Sequence, residues 1–104
     1  MTGKIYFSEY IDTDLEEICA YIAERDGEAA HELILDILDI FRLISENKLI
    51  GTLRSDVMTG LRRFPFGNYN IFYFPTESGV EIFRVLHSSR DEVQIFDDAI
   101  DTLN

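Results

Sequence analysis

At 104 residues the chain is long enough for one domain with one core. Its apolar fraction of 46 % argues against disorder, no run of about 18 apolar residues offers a membrane span, and a lone cysteine, Cys19, excludes an internal disulfide. The formal net charge of −11 disfavours nucleic acid as the main partner, because such binders gain affinity by neutralising phosphates with Lys and Arg. The opening Met-Thr-Gly-Lys-Ile-Tyr-Phe has neither the apolar stretch nor the small-residue cleavage site of a secretory signal, so a cytoplasmic location is expected.

Taken in chain order, Ile5-Tyr6-Phe7 reads as a short strand. Thr13-Asp14-Leu15-Glu16 fits a capping box, in which Thr13 and Glu16 satisfy each other's free N–H groups. A helix follows to about Glu24, with Leu15, Ile18 and Ile22 on one face and Tyr21 beside them. Arg25-Asp26-Gly27 breaks it. A second helix runs from about Glu28 to Ser45 and is apolar around most of its circumference, which implies burial on more than one side. The short connection makes the two helices an antiparallel hairpin. Residues 47–59 read as a loop. Leu61 to Phe66, Tyr69 to Phe74 and Val80 to Leu86 read as three strands, joined by turns at Gly67-Asn68 and Pro75 to Gly79. Pro65 cannot donate to a ladder, so its strand is placed at an edge or bulge. The aromatic run Tyr69 to Phe74 suits a central strand. Phe96, Ile100 and Leu103 have the spacing of a short final helix over Val93 to Leu103.

Charge divides the molecule. Residues 1–48 carry 4 basic and 12 acidic side chains, residues 49–91 carry 5 and 4, and residues 92–104 carry 4 acidic and no basic ones. Positive groups therefore concentrate on the strands. Arg62, Arg84, His87 and Arg90 are the candidate target-binding set, and His87 with Arg90 the candidates for acid–base chemistry on a phosphodiester. His87-Ser88-Ser89-Arg90-Asp91 has an equally direct structural reading, in which the histidine bonds a backbone carbonyl or carboxylate and Arg90 and Asp91 tie down the chain after the last strand. Arg84 lies mid-strand between Phe83 and Val85, pointing away from both, to cross a groove or meet an acid. Arg62 and Arg63 point to opposite faces. His31 and His87 lie in different elements and the carboxylates are scattered, so no metal site is expected. No P-loop, dinucleotide fingerprint or nucleophile elbow is present, and no cofactor is expected. The exposed edges and the excess apolar area of the second helix suit a protein partner, with Leu35, Leu38, Phe41 and Phe64 as candidate anchors.

The ordered set of segments resembles the ParE branch of the ParE/RelE toxins. The resemblance is carried by Asp14-Leu15-Glu16-Glu17-Ile18-Cys19-Ala20-Tyr21-Ile22-Ala23, by Ile44-Ser45-Glu46-Asn47 with Leu49-Ile50-Gly51, and by Gly60-Leu61-Arg62. Tyr69-Asn70-Ile71-Phe72-Tyr73 and Ile82-Phe83-Arg84-Val85-Leu86-His87-Ser88-Ser89-Arg90-Asp91 complete it. Lys48 stands where the family usually has proline. The resemblance implies a single α+β domain over residues 1–104, with a helical hairpin packed on a small twisted antiparallel sheet. It also implies a cognate antitoxin as partner, in a homodimer or a toxin–antitoxin hetero-oligomer, and DNA gyrase as a cellular target. Such toxins stabilise plasmids. RelE-like relatives instead cleave mRNA on the ribosome. They tend to carry a basic residue directly after the central-strand tyrosine and a tyrosine near the C-terminal end, where this chain has Asn70 and Phe96. A protein-binding toxin is thus the first expectation, an RNA-cleaving toxin the second, and a non-toxic antitoxin-binding remnant the third.

Overall fold

The first helix begins earlier than its sequence suggests. The Ser8 hydroxyl accepts from the Tyr10 N–H at 3.2 Å and the Ser8 carbonyl receives the Ile11 N–H, so the turn after strand β1 (Lys4–Phe7) launches helix α1 (Ile11–Ala23) directly. The capping box at Thr13 and Glu16 does not form; Tyr10 is the N-cap and no side chain caps it. Helix α2 (Gly27–Glu46) starts conventionally, with Asp26 accepting from the Glu28 and Ala29 N–H groups at 3.0 and 3.1 Å. The computed structural model describes residues 3–92 and 94–96.

After α2 come strands β2 (Thr52–Leu53), β3 (Arg62–Phe66), β4 (Tyr69–Pro75) and β5 (Gly79–His87). They form one sheet in the order β1-β5-β4-β3-β2, with Tyr69–Phe74 internal as its aromatic sequence requires. The ladders from β2 to β5 are antiparallel, while β1 joins β5 in parallel, so the sheet is mixed. The two-residue β2 lies inside the segment read as loop. It is too short to show a periodicity. Pro65 falls where β3 runs past β2, on a stretch of open edge that needs no N–H. Gly67 takes φ +58° at the first centre of the β3–β4 turn, the position that a II′ hairpin gives to glycine.

The sheet buries both faces. Ile18, Ile37, Phe41, Ile44, Ile71, Tyr73 and Ile82 form the core under the helices. Leu61, Phe72, Phe83, Leu86 and Phe96 form a second core on the far side. Phe96 is fully buried against Phe72 and Phe83, with ring centroids 4.9 and 5.5 Å away. Residues 92 and 94–96 are helical; Val93, Ile100 and Leu103 of the expected final helix lie outside the described residues.

One register shift decides where the functional residues point. Phe72 pairs with Arg84 but Tyr73 pairs with Ile82, so Phe83 is an extra residue on β5. Strict alternation would put Phe83 and Val85 on one face, as the sequence suggested. The bulge instead sends Phe83 to the far core and Val85 to the helix-side core. Arg84 is left at the sheet edge, over the Tyr10 ring at 4.9 Å.

Candidate functional site

β1 ends opposite Ile82, and residues 83–87 of β5 continue as an open edge. Chain from the first third of the molecule closes that edge. Ser8, directly after β1, donates its N–H to the Ile82 carbonyl at 3.0 Å and its hydroxyl to the Phe83 carbonyl. One turn into α1, Asp14 accepts the Val85 N–H at 3.0 Å and both Arg84 Nε and Nη2 at 2.8 Å. A carboxylate thus takes the place of a neighbouring strand. The pair is well buried, with side-chain exposures of 15 % and 3 %. Hydrogen bonding to Asp14, opposed by desolvation, holds the Arg84 proton more firmly than usual.

Beside this lock a groove of about 320 Å³ opens between α1 and the ends of β4 and β5. Ile18 and Tyr21 form one wall, Tyr69 and Val85 the floor, and His87 and Arg90 the far rim. Tyr69 packs edge-on against His87, with centroids 5.5 Å apart, and burial raises its phenol pKa. The Ser89 N–H donates to His87 Nδ1 at 3.1 Å, and the Ser89 hydroxyl lies 2.8 Å from the same nitrogen. Both contacts tie the imidazole through Nδ1 to its own loop.

The remaining arginines of the sheet half separate into three groups. Arg54 and Arg63 both bind Glu92, at 2.9 and 3.3 Å, and Arg54 also holds Asp56 at 3.1 Å. Asn70, at the place of the RelE-like cation, donates to the same Glu92 at 3.3 Å. Arg62 bonds the carbonyls of Leu49 and Gly51, at 3.2 and 2.7 Å, and among the described residues meets no carboxylate. Arg90 has no side-chain partner among the described residues. The structure therefore does not gather the four expected target-binding residues into one patch. His87 and Arg90 share the groove, Arg84 stands behind it neutralised by Asp14, and Arg62 lies elsewhere. Asp91, expected to anchor the chain, caps the next helical turn through the Gln94 N–H at 3.2 Å.

Among the candidate partner anchors, Leu35 and Leu38 are 48 % and 43 % exposed, Phe64 is half-buried, and Phe41 is a core residue at 1 %. Phe41 touches Phe7 of β1, which is itself half exposed, with ring centroids 5.8 Å apart. Sequence reasoning missed Asp14 as a site residue, although it carries a signal: it falls with Ile11 and Ile18 on the buried face of α1, where an acid requires a partner. Among the described residues no helix is long and apolar enough to cross a membrane, and no group of three His, Cys, Asp or Glu side chains could hold a metal ion.

No curated protein sequence matches the chain at a significant level. A solved structure described as a chromosomal ParDE TA system from P. aeruginosa has the same fold, with a TM-score of 0.69 at 16 % identity, covering 83 % of this chain and 96 % of that one. The family model for the ParE toxin of the type II toxin–antitoxin system parDE matches residues 5–92, through β1, the helical hairpin and the whole sheet to Glu92, and the chain belongs to that family.

Proposed function

We propose that the protein is a toxin that acts by binding a protein target, DNA gyrase by family resemblance, and that a cognate antitoxin neutralises it. The observation that carries this reading is how the cations and the histidine are engaged. Metal-independent RNA cleavage needs a base for the 2′-hydroxyl, an acid for the leaving oxygen and cations for the developing phosphate charge. Here Arg54, Arg63 and Arg84 are neutralised by carboxylates, the His87 Nδ1 accepts from Ser89, Asn70 is held by Glu92 and Phe96 is in the core. Among the described residues Arg90 is the one Lys or Arg lining the groove beside His87, and one guanidinium there does not make that site.

The antitoxin, on this reading, covers the hairpin and the adjacent sheet edge. Leu35, Leu38, Phe7 and the groove at Ile18, Tyr21 and Tyr69 supply apolar contact there. Apolar anchors rather than charge hold such a complex, so its affinity depends weakly on salt, changing less than about threefold over an order of magnitude in ionic strength. A steep loss of affinity in titrations at rising salt would refute that.

The deciding experiment is expression without antitoxin. DNA breaks and filamented cells, with purified gyrase inhibited and ribosomes unaffected, are the expected outcome. Codon-phased cuts in ribosome-bound mRNA by the purified protein, abolished by His87→Ala or Arg90→Ala, would establish the RNA-cleaving alternative instead. Normal growth with soluble, folded protein would identify a non-toxic remnant.

A further inference from the structure

The segment between α2 and β2 is built unlike an ordinary surface loop. Its backbone is held from inside. The buried Tyr73 hydroxyl donates to the Lys48 carbonyl at 2.9 Å and accepts the Gly51 N–H at 2.8 Å. Arg62 bonds the Leu49 and Gly51 carbonyls. Lys48 reaches from the segment to the turn before β5, bonding the Thr76 carbonyl at 2.9 Å. A methyl group at Gly51 would sit 2.8 Å from a Tyr73 ring carbon, so the approach is as close as backbone alone permits. With its polar groups turned inward, the segment presents aliphatic side chains outward: Leu49 is 65 % exposed, Ile50 45 % and Leu53 of β2 53 %.

This knuckle is set apart in charge and in position. Lys48 and Arg62 bond only carbonyl oxygens, and among the described residues neither pairs with a carboxylate, so both keep an uncompensated positive charge beside Leu49. The groove lies at the His87 end of β5, whereas Lys48 is tied to the turn at the Gly79 end. At ~3.3 Å per residue those ends are about 26 Å apart.

We propose that the knuckle of residues 48–53 is a second docking surface, which inserts Leu49 and Ile50 into an apolar pocket rimmed by carboxylates on the cellular target. The inference rests on the toxin reading above and adds the element that meets the target. Charge complementarity selects the occupant: two unpaired cations flank an apolar tip in a molecule of net charge −11. A second copy fits poorly. Three part-exposed aliphatic side chains cover a small share of the ~800 Å² per partner that a stable interface buries, and two strongly acidic chains repel. A rigid apolar anchor entering a pocket has the form of an interface hot spot.

The test compares wild type, the double variant Leu49→Glu/Ile50→Glu and Lys48→Glu. Growth arrest on induction, binding to purified DNA gyrase as probe, affinity for the cognate antitoxin, and thermal melting are measured for each. The double variant should melt like wild type and bind antitoxin within about twofold, yet lose growth arrest and bind gyrase about thirtyfold or more weakly, the scale of a buried anchor. Lys48→Glu should weaken the same two readouts by a smaller factor. Retained growth arrest in the folded double variant would overturn the proposal. So would a parallel loss of antitoxin affinity, which would assign the knuckle to the antitoxin. If wild type itself neither arrests growth nor binds gyrase, the toxin reading fails and this inference falls with it.

Discussion

The two ends of β5 hold the rest of the molecule by opposite means. At the His87 end the connection is ionic: Asp14 of α1 neutralises Arg84 and captures a backbone N–H. At the Gly79 end it is neutral on the acceptor side: a phenol, a lysine and an arginine all bind carbonyl oxygens. The difference determines what each end shows to a partner. An arginine bound by a carboxylate presents little net field, so the groove is largely apolar with Arg90 on its rim. Cations bound by carbonyls keep their charge, so the knuckle remains positive. Formal charge along the sequence does not distinguish the two cases, and this is why the sheet half looks more basic in sequence than its surface is.

The same contrast ranks the consequences of mutation. Asp14→Ala is expected to be the most damaging. It leaves Arg84 without its counter-charge and the Val85 N–H without an acceptor, at a cost of about 3–5 kcal/mol in urea denaturation. A variant that replaces both partners by hydrophobic residues, Asp14→Leu/Arg84→Met, should recover part of that loss because no charge is left uncompensated. If the single variant costs less than about 1 kcal/mol, the lock is not what holds α1 to β5.

Much of the fold was legible because its signals are local. Arg25-Asp26-Gly27 between the two helices, Gly67-Asn68 between two strands and the aromatic-rich run of β4 each reflect a preference of a few neighbouring residues. What stayed hidden depends on pairing. The bulge at Phe83 moves Val85 from one face to the other, and no residue in β5 announces it. Glu92 gathers Arg54, Arg63 and Asn70 from three separate segments, 22 to 38 residues away in sequence, so its importance exists only after folding. The parallel seat of β1 likewise depends on where the hairpin returns the chain. Of the four candidate target-binding residues, His87 and Arg90 line one groove, whereas Arg62 and Arg84 are held elsewhere by partners that a charge map along the sequence does not reveal.

At the knuckle end, Tyr73→Phe removes a hydroxyl with two partners and leaves the Gly51 N–H and Lys48 carbonyl unsatisfied. A loss of about 1–3 kcal/mol is expected, smaller than for Asp14 because no charge is stranded. Hydrogen exchange should show the change to be local, with Gly51 and its neighbours losing protection while α1 keeps it. Equal loss of protection in α1 would mean that the two ends are one cooperative unit. Away from both ends, Asp26→Ala removes the α2 cap and should cost ~1 kcal/mol without altering either surface. A circular-dichroism melt shifted by more than Asp14→Ala shifts it would contradict that ranking.

The smallest expected effect is a dependence on alkaline pH. Burial raises the Tyr73 phenol above its ordinary value, outweighing the opposing effect of the Gly51 N–H bond. A proton held more tightly in the folded than in the unfolded state contributes stability that is complete below the unfolded pKa, ~10 for tyrosine. That contribution declines as pH rises from there through the folded value, because the unfolded chain ionises first. Tyr69 shifts in the same direction and adds to the slope. Wild-type stability should therefore fall as pH is raised beyond ~10, and Tyr73→Phe should fall less steeply, since it has one fewer buried phenol to ionise. Denaturant midpoints measured at neutral pH and above ~10 test this. Parallel declines for the two proteins would show that Tyr73 ionises as freely in the fold as outside it, and that its hydroxyl does not hold the knuckle as the geometry indicates.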